Sequence, residues 1–279
     1  MARVALVLGG GGMKGLAHVG AWKALEEGGV EVVGIVGTSI GALVGAALAG
    51  GLGWRELAPR ALGLARSDII AMNRWVVMPM GIRQPALFAG ERFREYVRRT
   101  LPVHRFEDLR IPLTVNAVDL ETGRVEWFGA GGRLDVTVPD AVSASAAMPV
   151  FFPPVELGGR YYVDGGVSET LPLSAVSEAA VDAVVAVDVA AGGEKDPRDT
   201  LSKGMVAVHH RVYDIMAYAR KVAQLEAWNG PPLIYVRPAL DGYSTFDFER
   251  VQYFLEEGYR ATRRALRSWS TASVPEISA

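Results

Sequence analysis

The chain contains no cysteine. Disulfide staples, thiol nucleophiles and thiolate metal sites are therefore excluded, and stability must come from an ordinary apolar core. Histidine is scarce, with only His18, His104, His209 and His210 in 279 residues, so an imidazole-based mechanism has four candidates. Lysine stands only at positions 14, 23, 195, 203 and 221, and the formal net charge is −2. That balance gives no electrostatic case for a nucleic-acid partner. Long apolar runs are also lacking. The one stretch that comes near membrane-spanning length, residues 32–52, is interrupted by glycines and by Thr38 and Ser39, and is not read as a span. The apolar run 4–8 stops at Gly9 without a cleavage-like end and reads as a first strand, not a leader. A cytoplasmic globular protein is expected, with any membrane contact peripheral.

Half the residues are hydrophobic and 22% are charged, which is ample for a large core. Repeats, low-complexity blocks and linkers are missing, so one domain over 1–269 is expected, with a frayed tail at 270–279. Apolar runs at 4–8, 30–36 and 183–189 read as buried strands, and 16–27 and 42–49 as helices between them. This alternation predicts an α/β fold, three layers deep, around a mostly parallel sheet. Two hairpins follow from Glu121-Thr122-Gly123 and from Gly158-Gly159. Further helices are expected at 54–66, 91–101, 139–147, 173–180, 201–228 and 247–269, with a polar loop at 191–200. The segment 67–110 begins without clean periodicity; it reads either as a lid or acyl-pocket wall, or as a core-packing insertion. The arginines at 92, 94, 98 and 99 either face anionic headgroups or are simply solvated.

The richest stretch is Gly37-Thr38-Ser39-Ile40-Gly41, between an apolar strand and an Ala/Leu-rich helix. A serine flanked by glycines at a strand-to-helix turn is the pattern of a nucleophile elbow, although in a Gly-rich chain it also fits a plain turn. An ester-cleaving serine needs a base, oxyanion donors and a pocket. The loop Gly9 to Gly15 can supply donors, because consecutive glycines let N–H groups converge unobstructed. The same loop contains Gly10-x-Gly12-x-x-Gly15, a dinucleotide fingerprint. That reading wants an acid at the end of the second strand, where Gly37-Thr38-Ser39 stands instead. None of the four histidines has the strand-end setting of a catalytic base; His18 is expected to pack or cap. Asp164 has that setting, followed by Gly165-Gly166, which can make the turn that aims its carboxylate.

These residues in order, Gly10-Gly11-Gly12-Met13-Lys14-Gly15, Gly37-Thr38-Ser39-Ile40-Gly41 and Asp164-Gly165-Gly166, closely resemble the patatin-like phospholipase family, and its bacterial single-domain members in particular. Residues 143–149, Phe152-Pro153-Pro154, Phe246-Asp247-Phe248 and Gly258-Tyr259 extend the similarity, which covers roughly 1–50 and 110–267. The resemblance implies a Ser39–Asp164 dyad with neither histidine nor metal nor other cofactor, and an oxyanion hole in the loop of Gly10, Gly11 and Gly12. Motif support would come from Lys14, Gly15, Gly37, Gly41, Gly165 and Gly166. Lys14 would fix the loop, unless it is a surface lysine at a helix start. The implied substrate is a lipid or other acyl ester, hydrolysed through an acyl-enzyme, with transient contact to a membrane surface. One departure is that Ser168-Glu169-Thr170-Leu171-Pro172 stands where many members carry Asn-x-Pro, which puts a supporting contact in question. Two other readings remain open: an α/β-hydrolase triad using His209 or His210, and a regulatory or lipid-binding protein that keeps the fold.

Overall fold

The computed structural model describes residues 2–76, 83–176, 181–190, 192 and 196–272, the last three by backbone alone. Parts of the expected lid-like segment (77–82), of the helix expected at 173–180 (177–180), of the polar loop (191 and 193–195) and of the tail (273–279) lie outside the described residues.

The elements run β1 (Arg3–Leu8), α1 (Ala17–Glu27), β2 (Glu31–Gly37), α2 (Ile40–Ala49), α3 (Trp54–Leu62), α4 (Arg66–Ile69), α5 (Gly90–Thr100), β3 (Leu113–Asp119), β4 (Val125–Gly129), α6 (Val138–Ser145), β5 (Val155–Leu157), β6 (Arg160–Asp164), β7 (Ala183–Val187), α7 (Pro197–Ser202), α8 (Met205–Glu226), β8 (Leu233–Val236) and α9 (Val251–Ala272). Among the described residues eight strands form one mixed sheet in the order β5-β6-β3-β2-β1-β7-β8, with β4 also paired to β3. The centre, β3-β2-β1-β7-β8, is parallel. β1 and β7 are continuous β-branched and aliphatic runs, as strands buried on both faces must be. α2 is apolar all round and is buried from Gly41 to Ala49.

The core is unequal on the two faces. On one, Leu6 and Leu8 of β1 pack with α1, α2, α6 and α9. Gly20 of α1 and Gly258 of α9 let those two helices touch backbone to backbone, since a Cβ at either would strike the other helix's main chain. The other face carries a thinner layer: Val7, Val36 and Val184 under Leu171 and Leu173, with Leu225 and Trp228 beside them.

Two expectations need correction. Residues 173–175 make a single 3-10 turn and Val176 is extended, because Leu171 and Leu173 are used to cover the sheet face. The polar loop contains a helix, α7, whose Asp196 side chain caps Arg198 N with Pro197 in the first turn. The Asp-Pro pair is a helix-start signal that the loop composition masks. Gly204, at φ 83, separates α7 from α8. The arginine-rich α5 buries Phe93 and Val97 and holds its arginines outside, with Arg94 beside Glu91 and Arg92 on the Ser67 carbonyl. Among the described residues no helix is long and apolar enough to cross a membrane.

Candidate active site

The site is built at one junction in the sheet. β4 pairs with β3 along Thr114–Val118 and fills one edge of it. The other edge is shared. β2 occupies its first half, with Gly37 opposite Val115, and antiparallel β6 occupies its second half, with Asp164 opposite Ala117. β2 and β6 therefore run head-on toward each other, with Asn116 between their ends. The Asn116 amide ties both: Oδ1 accepts from Thr38 Oγ1 at 2.9 Å, and Nδ2 donates to the carbonyls of Gly165 and Glu169, both at 3.3 Å. This brings a residue from the second strand and one from the sixth into contact.

Ser39 follows β2 directly and heads α2 with φ 56 and ψ −121. A non-glycine residue at positive φ is strained and persists only where its surroundings hold it. Here they do. Ser39 N–H donates to Ser145 Oγ at 2.9 Å, Thr38 N–H to Leu8 O at 3.1 Å, and Thr38 Oγ1 to Glu169 O at 3.0 Å. Gly41 lies against the Leu8 and Gly9 carbonyls and leaves no room for a Cβ. A strand-to-helix turn thus stands at Ser39, which is buried at the α2 N-terminus, where the helix dipole favours negative charge.

Asp164 ends β6 and is buried; its Oδ1 accepts from Gly166 N–H at 2.7 Å. Burial pushes its carboxyl up from 3.8 to about 6, while the Gly166 amide and the Ser39 hydroxyl, both donating to it, pull it partly back. At neutral pH it is therefore an ionised carboxylate of raised basicity, with the serine hydroxyl as its hydrogen-bond donor. The Tyr213 phenol sits against Gly166 and stays neutral, its pKa driven well above 10 by burial and by the charges of Asp164 and Asp214.

The glycine loop arches beside this pair. Its first amides belong to the scaffold: Gly9 N–H donates to Val187 O at 3.0 Å and Gly10 N–H to Thr170 O at 2.8 Å. Of the three expected oxyanion donors, Gly10 is committed elsewhere, and Gly11 and Gly12 are the next amides along the loop. Gly12, at φ 61, is pressed against Thr245, and Met13 N–H donates to Thr245 O at 2.8 Å. His18 neither simply packs nor caps. Its Nε2–H donates to Gly9 O at 2.8 Å, and burial lowers its pKa to about 4, so it braces the loop as a neutral ring. Lys14 is buried and lines the cavity over Ser39, so it is not a surface lysine. Gly15 takes the Ile40 side chain against its Cα, and Gly37 takes the turn into α2, which is why neither has a side chain.

The stretch 168–172 supports the site without the family's usual asparagine. Its contributions are backbone carbonyls, Glu169 O to Thr38 and Asn116 and Thr170 O to Gly10, which any side chain would leave in place. The cavity over Ser39 and Asp164 holds about 30 Å3 of water-accessible space and is walled on one side by His210, Tyr213, Asp214 and Ala217 of α8. His210 Nε2 meets Thr245 Oγ1 at 3.1 Å. His209 is exposed, and His104 sits on the Arg98 carbonyl among exposed residues. Sequence reasoning missed Asn116, Ser145, Tyr213 and the wall supplied by α8. Among the described residues no group of three or more His, Asp or Glu side chains is arranged to hold a metal.

A strained serine at a helix N-terminus, a buried carboxylate on it and a glycine loop alongside define the class of serine hydrolases built on an α/β sheet. The model of the patatin-like phospholipase family matches residues 6–177, and the chain belongs to that family and so to the lipid ester hydrolases. An NTE family protein of Mycobacterium tuberculosis, described as uncharacterized, is 32% identical over 261 residues, covering 85% of this chain and 69% of that one. Lysophospholipase nte1 of Aspergillus fumigatus is 29% identical over 98% of this chain, and human patatin-like phospholipase domain-containing protein 6 is also 29% identical over 98% of it. This chain spans only 19% and 21% of those two proteins. VipD from Legionella pneumophila shares the fold, with TM-score 0.52 and 15% identity over 96% of this chain and 67% of that one.

Proposed function

We propose that the chain hydrolyses acyl esters of phospholipids or lysophospholipids through Ser39 and Asp164. The supporting observation is the pairing itself: a serine held at positive φ whose hydroxyl donates to a buried carboxylate of raised pKa. In the proposed reaction Ser39 Oγ attacks the ester carbonyl as its proton passes to Asp164. The Gly11 and Gly12 amides and the α2 N-terminus stabilise the oxyanion. Collapse expels the alcohol, which takes the proton from Asp164, and leaves an acyl-serine. Water then attacks, giving its proton to Asp164, and the fatty acid leaves as Ser39 is reprotonated. A carboxylate of pKa about 6 is a better match to this task than a free aspartate, being ionised at pH 7 yet more basic.

The test is a chain-length series of p-nitrophenyl esters and then a phospholipid panel, on the wild type and on Ser39→Ala and Asp164→Asn. Each substitution should lower kcat/KM by about a thousandfold or more. A second reading rests on His210, which lines the same cavity, and makes it the base of a triad. Loss of activity in His210→Ala with activity kept in Asp164→Asn would establish that reading and overturn ours. Failure of a fluorophosphonate probe to label Ser39 in folded protein would favour a lipid-binding role without turnover.

A further inference from the structure

The helix that walls one side of the site is patterned inside out. A helix on a globular surface normally buries its apolar stripe and shows water its polar side. In α8 the buried residues are Asp214, Ala217 and Lys221, and the outward ones include Met205, Val212, Ile215 and Met216, which are 76%, 49%, 52% and 50% exposed. Large apolar side chains grouped on one exposed face mark an interaction surface. The charge pattern narrows the partner. From Met205 to Leu225 the only carboxylate is Asp214, which is buried, whereas Arg211 and Arg220 flank the face; Lys203, just before the helix, is paired with Asp199 at 2.7 Å. An apolar stripe bordered by arginines, with exposed carboxylates only beyond its two ends at Asp199 and Glu226, suits the headgroup boundary of a phospholipid surface.

Two further observations connect this face to the site beneath it. About 30 Å3 over Ser39 has room for one or two waters, whereas pockets for lipid-sized molecules run to hundreds of Å3. A fatty-acyl ester needs more room beside Ser39 than this, and α8 supplies four of the residues that line the space. The helix is also held unevenly. Its C-terminal half is tethered by Lys221 to buried Asp188 at 2.6 Å, by Gln224 to Glu169 at 2.8 Å, and by Arg220 to the Val167 carbonyl. The N-terminal half rests on the site through His210, which meets Thr245 and the Phe151 ring. It begins at Gly204, whose φ of 83 and open surroundings leave the chain free to turn. From Lys221 to Met205 the helix is a lever of about 24 Å, so a rotation of about 20° about the tethered end lifts the tip by about 8 Å.

We propose that the outward face of α8 docks on a phospholipid surface, and that docking swings its N-terminal half away from Ser39 and opens the way for an acyl chain. What is uncovered rests on the hydrolase reading above; the docking itself does not. Both are therefore measured separately.

The variant Val212→Gln/Ile215→Gln/Met216→Gln removes the apolar face while keeping strong helix formers and touching nothing that lines the cavity. It is compared with the wild type for co-sedimentation with vesicles of phosphatidylcholine containing one-third phosphatidylglycerol, for hydrolysis of those vesicles, and for hydrolysis of soluble p-nitrophenyl acetate. Vesicle binding and vesicle hydrolysis should each fall at least tenfold, with acetate hydrolysis within about twofold of wild type. Because the chain has no cysteine, Met216→Cys can carry a single polarity-sensitive fluorophore, read in a Ser39→Ala background that needs no turnover. Its emission should shift to the blue on adding vesicles, and a label at Glu121→Cys, in the β3–β4 turn, should not respond. Vesicle binding unchanged in the triple variant, or emission unchanged at position 216, overturns the proposal. So does a wild type that elutes as a dimer and a triple variant that elutes as a monomer, which would assign the face to a second copy. Loss of ester hydrolysis with the blue shift intact would refute the hydrolase reading and leave the docking standing.

Discussion

Asp164→Asn should inactivate the enzyme and stabilise the fold, and the size of the second effect follows from the site. The Asp164 carboxyl is raised from 3.8 to about 6 chiefly by burial. The folded protein therefore holds this proton more tightly than the unfolded chain does, and ionising Asp164 costs folding free energy as pH rises from about 4 to about 6. A shift of roughly two units corresponds to about 3 kcal/mol, fully felt above pH 6 and reduced to well under 1 kcal/mol at pH 4. Asparagine removes that cost while its Oδ1 can still accept from Gly166 N–H and its amide can donate to Ser39. With an unfolding entropy of roughly 2 cal/mol/K per residue, 3 kcal/mol is a rise in Tm of about 5 °C for a chain of this length. Differential scanning calorimetry of both proteins at pH 8 and pH 4 reads it: a gain of several degrees at pH 8 that vanishes at pH 4. A variant no more stable than wild type at pH 8 would mean that Asp164 is not strained by its burial, and the argument for its raised basicity would fall with it.

Other outcomes are expected. The acidic limb of kcat/KM against pH should bend near 6, the value of Asp164, and a bend near 4 would show an unperturbed carboxylate. His18 works in the opposite direction: its folded pKa of about 4 lies below the ordinary 6.5, so its neutral form stabilises the fold above pH 6.5 and that contribution is lost as pH falls. In His18→Gln, urea melts at pH 7 and pH 5 should show about 2 kcal/mol less acid-induced loss than in wild type. Asn116→Ala breaks the tie between the two strand ends and leaves the Thr38 hydroxyl with one acceptor fewer. It should cost about 1–3 kcal/mol in urea melts and lower kcat more than it raises KM.

The parts of the site that were legible in the sequence are those whose chemistry restricts residue type. Only glycines permit the packing at positions 37 and 41, and a serine and an aspartate at strand ends stand out against apolar runs. The parts that were hidden have their roles from position. Thr170 and Glu169 act through backbone carbonyls, which leave no trace in side-chain pattern. Asn116 shares the polar parity of Thr114 in a strand that is buried throughout, so alternation alone would turn it to solvent, and its meaning depends on β2 and β6 sharing one edge of β3, a fact of topology. α8 was legible as a helix, but its orientation was not. A moment calculation that assumes an apolar inside face would turn it round, and the buried Lys221–Asp188 pair is what fixes which side faces in.

The end-on meeting of β2 and β6 along β3 has a consequence for how this site tolerates change. Ser39 and Asp164 are 125 residues apart in the chain, yet their spacing is set by counting along a single strand, from Val115 to Ala117. β3 acts as a ruler. Insertions in the connections on either side of β3, between α2 and β3 or between β4 and α6, leave the count untouched, so those connections are free to lengthen or shorten. A slip of one residue in the β6 pairing would instead carry Asp164 about 3.3 Å along the strand and turn its carboxylate to the opposite face of the sheet. The spacing of Ser39 and Asp164 is thus insulated from changes in the flanking loops and exposed to the smallest change in one short ladder.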